Sequence, residues 1–120
     1  MAQPQNLSPE GLLRLLAAPD KETVESVLGT CLAQTDPRCL DARTCALVRI
    51  GALLAMDATA PAYEWAVGLA LAVGANVDEI VGTMIAAAPI IGTARVVTAA
   101  PALGLALGYD VDAALERRDD

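Results

Sequence analysis

The stretch LDARTCALVRIGALLAMDATAPAYEWAVGLALAVG, residues 40–74, decides the fold of this chain. Asp41 is a preferred N-cap residue, and the apolar residues that follow it recur at helical spacing. A short break comes next, and Pro61 then suits the first turn of a second helix. The stretch therefore predicts two helices, at residues 41–56 and 61–73, that pack against each other as an antiparallel hairpin.

Helical signals also cover the rest of the chain, on both sides of the hairpin. Apolar residues at helical spacing, bounded by capping residues, glycines and prolines, predict further helices. These helices occupy roughly residues 9–18, 21–34, 77–89, 93–107 and 111–117. No stretch alternates with the period of two that marks a strand. We therefore expect an all-α, single-domain helical bundle of six or seven helices over residues 8–120, preceded by a flexible tail at residues 1–7.

Composition and charge exclude several classes of function. The chain has 120 residues and is 55% hydrophobic, so it can build a core. Its net charge is −7, its only Lys is Lys21 and its Arg residues are scattered, so we expect no nucleic-acid partner. It contains no His, which removes a common metal ligand and general base. We expect neither a metal nor a cofactor.

The apolar runs are too short for a membrane helix. Arg49, Glu64, Asp78 and Arg95 keep every charge-free run below the roughly 18 residues that a membrane helix needs. The N-terminal residues are polar and contain no apolar segment of the kind found in signal peptides. We therefore expect a cytoplasmic protein with no membrane partner.

The three cysteines, Cys31, Cys39 and Cys45, form no C-x-x-C motif. The first interpretation is three reduced, partly buried thiols, as in most intracellular proteins. A disulfide between Cys31 and Cys39 and a reactive Cys39 are the alternatives.

Several short motifs follow one another in a recognisable order between residues 40 and 92. They are Leu40-Asp41, Arg43, Leu47-Val48, Glu64-Trp65, Gly74-Ala75, Asp78-Glu79-Ile80 and Gly92. In order and spacing they resemble the carboxymuconolactone decarboxylase family, which includes the alkyl hydroperoxidase D-like proteins. The resemblance covers roughly residues 40–108. It implies an all-helical fold around a two-helix hairpin and an assembly of three or six copies.

The same resemblance implies where the chemistry of that family would lie, and this chain lacks the residues for it. The peroxidase branch has a C-x-x-C, a His and a Glu, which fall here at Thr59 and Ala62, at Ala66, and at or beside Ala46. A thiol peroxidase needs a thiolate, a resolving thiol and a proton carrier. The decarboxylase branch keeps the His, which Ala66 also removes. We therefore expect a divergent active site without thiol peroxidase activity.

Five polar or aromatic residues remain as candidates for a rebuilt site. Arg49, Tyr63, Glu64, Trp65 and Arg95 are the candidate ligand-binding residues, and all of them except Trp65 are also candidate catalytic residues. One interpretation is structural: buried charges need partners, so Arg–Glu salt bridges would join helices or subunits. The other is a pocket in which Arg holds a small carboxylate beside Tyr63 or Glu64.

Three functions stay open at this stage. The first is a divergent family member that binds a small carboxylate or apolar ligand, and the second is a decarboxylase, lactone-processing enzyme or isomerase. The third is a structural or partner-binding helical oligomer. The helices between residues 60 and 108 are apolar on nearly all sides, which predicts a homo-oligomer for each function. The family resemblance implies the number of copies, a homotrimer or hexamer.

Overall fold

Seven α-helices form the regular structure of a computed structural model, in which residues 8–17, 19–32 and 40–118 are described. They are α1 (Pro9–Leu16), α2 (Lys21–Leu32), α3 (Ala42–Ala55), α4 (Ala60–Ala72), α5 (Val77–Ile91), α6 (Thr93–Ala106) and α7 (Val111–Arg118). These described ranges contain no strand. The prediction of an all-α fold with six or seven helices is confirmed.

Contacts within the chain divide it into two compact units, Met1–Leu40 and Asp41–Asp120. In the first unit α1 packs against α2, and the second contains α3 to α7. The predicted tail at residues 1–7 lies outside the described residues, and the single domain over 8–120 stays a prediction. No helix within the described ranges combines the length and the apolar character needed to cross a bilayer.

The helix starts follow the capping signals of the sequence. The Thr44 N–H donates to Asp41 Oδ1 at 2.7 Å, and this hydrogen bond lowers the pKa of the Asp41 carboxyl. In α5 the Glu79 N–H donates to Asn76 Oδ1 at 2.8 Å, while the Asn76 N–H donates back to Glu79 Oε1 at 3.0 Å. This reciprocal pair is a complete capping box. Local sequence therefore determines where these helices begin.

The predicted hairpin is present, and α3 lies between α4 and α5. Close to the turn, Tyr63 of α4 contacts Leu53 of α3, and the two helices run in opposite directions from there. In contrast, α5 runs in the same direction as α3: Arg43 pairs with Glu79 near both helix starts, and Gly51 and Thr83 are neighbours further along the two helices. The third helix therefore has neighbours on two sides, which the sequence did not predict. Helix α6 packs against α4, α5 and α3, and α7 contacts α6.

The core of the second unit is built from aliphatic residues and a single tyrosine. Its largest fully buried side chains come from α3, α4 and α5: Tyr63, Ile50, Leu54, Ile80 and Val67. Small alanines fill the space between them, so the helices approach one another closely. This packing positions one face of α3 and α4 toward the outside, where the candidate site lies.

Pro89 does not end the fifth helix, although the sequence allowed a stop at that position. The helix continues two residues further, to Ile91, and ends at Gly92 with φ 92°. A proline removes one backbone donor but does not prevent the residues after it from staying helical. A positive φ suits glycine, which has no Cβ to clash, so Gly92 is the effective end.

Candidate functional site

A small cleft opens between α3 and α4 on the outer side of the hairpin. It is lined by Ala46 and Arg49 of α3 and by Trp65, Ala66 and Leu69 of α4. Its enclosed space is about 10 Å³, which is room for about one water molecule. The cleft is therefore too small to enclose an organic ligand within a single copy of the chain.

Two positions at which the family resemblance implies catalytic residues lie together on the floor of this cleft. Ala66 stands at the implied His position and Ala46 at the implied Glu position, and both are buried here side by side. Their methyl groups can neither donate nor accept a proton. Thr59, at an implied Cys position, is the N-cap of α4 but makes no capping hydrogen bond with its side chain. The implied positions are thus adjacent, and their chemistry is absent.

Arg49 and Trp65 are the two large side chains at the rim of the cleft. Trp65 is 64% exposed. Arg49 is exposed, and so is Glu64, the neighbour of Trp65 on α4. Among the described residues neither charge lies within 4 Å of an oppositely charged group. The salt bridge suggested for Arg49 and Glu64 is therefore not formed within the described part of one chain.

Tyr63 and Arg95, two further candidate residues, are held at the C-terminal end of α3. Tyr63 is only 1% exposed, its hydroxyl donates to the Leu53 carbonyl at 3.4 Å, and burial raises the pKa of this phenol. The Arg95 guanidinium of α6 donates to the Ala55 carbonyl, one of the four orphan acceptors at the end of a helix. Both side chains therefore stabilise the end of α3.

The structure does not gather the five candidate residues into one pocket. Arg49 and Trp65 share the cleft, and Glu64 flanks Trp65 on the outside. Ala55, the partner of Arg95, lies six residues beyond Arg49, which is about 9 Å along the helix axis. Only Arg49, Glu64 and Trp65 therefore belong to one surface.

An ion pair between helices was missed by the sequence analysis. Arg43 Nη1 of α3 donates to Glu79 Oε2 of α5 at 2.6 Å, and Glu79 also closes the capping box. Both residues stand in the first turn of their helices, which is a local signal. The pairing of these two residues can be predicted only once α3 and α5 are known to be parallel neighbours.

A second, wider depression lies between α3 and α5. This groove has a volume of about 330 Å³ and is open to solvent. Its lining is nearly all apolar: Leu47, Val48, Gly51, Thr83, Ala86 and Ala87. The one hydroxyl among them, on Thr83, donates to the Glu79 carbonyl within its own helix at 2.9 Å. The groove therefore offers apolar surface and little polar recognition.

Cysteine and metal chemistry find little support in the described residues. Cys45 carries a half-buried thiol in the first turns of α3. The side chain of Cys31 and all of Cys39 lie outside the described part of the chain, so the two alternatives suggested for them stay predictions. Across residues 8–17, 19–32 and 40–118, no group of three His, Cys, Asp or Glu side chains could hold a metal ion.

No protein-family model, no curated protein and no solved structure matches this chain. The membership of the carboxymuconolactone decarboxylase family therefore stays a prediction, which rests on the motifs of residues 40–108.

Proposed function

We propose that this chain is a non-catalytic, self-assembling helical protein of the carboxymuconolactone decarboxylase-like build. The outer face of α4 carries the proposal. A helix at the surface of a monomer normally has a polar outer stripe. On α4 the only charged residue is Glu64, and the exposed positions are otherwise apolar or glycine: Pro61, Trp65, Gly68, Leu69, Leu71 and Ala72.

Trp65 is the strongest single indication that this face contacts another molecule. An indole that is 64% exposed leaves a large apolar area in water. Apolar patches of this kind mark interfaces, and Trp is the residue most enriched among those that dominate binding energy. Val48 of α3, next to Arg49, is also exposed and extends the apolar surface. A further copy of the chain is the proposed partner.

The absence of catalysis in this proposal follows from the floor of the cleft. Ala46 and Ala66 offer no group that could act as nucleophile, acid or base. Tyr63 and Arg95, which a rebuilt active site would need, are engaged with carbonyls of α3. No observation specifically favours the decarboxylase or isomerase alternative, and a cytoplasmic location stays a prediction from the sequence.

Sedimentation equilibrium of the full chain at micromolar concentration tests the proposal. We expect a single species whose mass is a multiple of the 12.3 kDa chain, and the family resemblance suggests three or six copies. Burial of apolar surface between copies drives this association. A clean species at the mass of one chain would contradict the proposal, because the face of Trp65 would then be stable in water.

A second candidate function is the binding of a small carboxylate by Arg49. The observation that favours it is the guanidinium at the rim of the cleft, without an acidic partner among the described residues and beside an aromatic ring. Benzoate is a suitable probe, because it carries both a carboxylate and an apolar ring. The fluorescence of Trp65, the only Trp, reports binding at this place.

We expect benzoate to change the Trp65 emission in a saturable way. Arg49→Gln should weaken that binding at least about tenfold, since it removes a charge-assisted hydrogen bond. Arg14→Gln, at an exposed arginine that pairs with Glu10, is the control and should leave the titration unchanged. A titration that is the same in the wild type and in Arg49→Gln would contradict this candidate.

A further inference from the structure

Two charges of opposite sign flank Trp65 on the exposed face of the hairpin, and neither has an ion-pair partner among the described residues. We propose that two copies of the chain pack face to face around a two-fold axis parallel to α4, so that Arg49 of each copy pairs with Glu64 of the other. This inference rests on the proposed self-assembly, to which it adds the orientation of the copies and the contacts that align them.

The turn of the helix places Glu64 on the side of α4 that is remote from α3. Successive residues of an α-helix are about 100° apart, so Glu64 and Ala66 lie on opposite sides of Trp65. Ala66 lines the cleft together with Ala46 of α3. Glu64 therefore lies on the flank of α4 that is turned away from α3, where its side chain is exposed, while Arg49 lies on the flank that belongs to α3.

Arg49 and Glu64 also stand at similar levels along the hairpin. Arg49 and Trp65 line the same cleft, which runs from Ala46 to Arg49 on α3 and from Trp65 to Leu69 on α4. Glu64 is the residue before Trp65, only about 1.5 Å away along the helix axis. A line drawn across the face therefore meets Arg49, Trp65 and Glu64 in that order.

A two-fold axis that runs parallel to α4 exchanges the two flanks and keeps every residue at its level. It places the flank of one copy that carries Arg49 opposite the flank of the other copy that carries Glu64. Arg49 then faces Glu64 of the second copy on both sides of a central pair of Trp65 side chains. An axis perpendicular to α4 would instead place Arg49 opposite Arg49, and like charges repel. Charge complementarity thus selects the first arrangement.

The small residues on this face allow the close approach that such a contact requires. Gly68 and Ala72 are exposed one and two turns after Trp65, and a Cβ added to Gly68 would meet no other atom within 4 Å. Partial burial of the two ion pairs by the indoles would strengthen them relative to pairs in open water. A two-fold contact also predicts an even number of copies, a dimer or a hexamer with paired trimers, and excludes a lone trimer.

Charge reversal tests the pairing. We expect Arg49→Glu and Glu64→Arg each to raise the dissociation constant of the face-to-face contact at least about tenfold, because each places like charges opposite one another. The double variant R49E/E64R restores opposite charges and should return to within about threefold of the wild type, since residues in contact are not additive. Sedimentation velocity over a dilution series measures these constants, and circular dichroism checks that each variant is folded.

A matched control reverses a charge on a different helix of the same unit. Asp112→Arg on α7 concerns an exposed side chain and should leave the association unchanged. If the wild type assembles but the two reversals do not change its assembly, or the double variant is no better than the singles, the pairing is overturned while self-assembly stands. A wild type that stays monomeric overturns both, and leaves the face to a different protein.

Discussion

Tyr63→Ala is expected to lower the free energy of unfolding by about 3–5 kcal/mol, the typical cost of removing a buried aromatic ring. Tyr63 is only 1% exposed and is the largest fully buried side chain of the core. Its neighbours in the hairpin, Ile50 and Leu54, are completely buried and come from a different helix, so they cannot collapse freely into the space. Urea unfolding at one fixed protein concentration measures the loss, because dissociation contributes to the stability of an oligomer.

Two matched variants separate the ring from its hydroxyl and from its surface counterpart. Tyr63→Phe should cost only about 0.5–1 kcal/mol, because its hydrogen bond to Leu53 is long at 3.4 Å and that carbonyl also accepts the Met56 N–H. Tyr109→Ala, at a tyrosine that is 56% exposed, should stay within about 0.5–1 kcal/mol of the wild type. Equal losses for the two tyrosine-to-alanine variants would show that Tyr63 does not hold the core together.

Tyr63 also predicts how stability changes at alkaline pH. Burial raises the pKa of its phenol above the usual value of 10.0. The unfolded chain then ionises first, so the contribution of Tyr63 is complete below pH 10.0 and is lost as the pH rises through the folded-state pKa. In a Tyr109→Phe background, Tyr63 is the only tyrosine, and its absorbance should titrate above pH 10.0. Tyr63→Phe should remove the part of the alkaline loss of stability that ionisation of the Tyr63 phenol causes.

Trp65→Ala is expected to weaken self-association by about 2–4 kcal/mol per contact, which corresponds to roughly 30- to 1,000-fold in the dissociation constant. The stability of a single folded copy should change little, because the indole is largely exposed within one chain. Leu115→Ala, at an apolar side chain of α7 that is 49% exposed, is the control and should leave association unchanged. Sedimentation velocity measures the dissociation constants of both variants.

The indole supplies an independent readout of the same contact. Trp65 is the only Trp, so its emission should move to longer wavelength when the wild type is diluted until the copies separate. An emission maximum that is typical of water-exposed indole at all concentrations, together with unchanged association of Trp65→Ala, would place the interface elsewhere on the chain.

The sequence by itself determined the helices and the residues at which α3 and α5 begin. Asp41 and Asn76 cap α3 and α5 through contacts with residues three positions away, and such contacts form in any chain with that local order. The hairpin followed from the same signals, since a break of a few residues leaves two apolar helices few ways to pack. The absence of a thiol at Thr59 and Ala62 and of an imidazole at Ala66 was likewise decided by residue type alone.

The tertiary structure decided which of the polar residues meet. Arg43 pairs with Glu79 because α5 lies parallel to α3, and Arg95 reaches Ala55 because α6 passes the end of α3. Tyr63 and Trp65 are two residues apart, yet one is buried and the other is exposed. On a helix without a polar face, periodicity cannot tell which side meets the core. That choice belongs to contacts between residues far apart in sequence, which local propensities and capping signals do not encode.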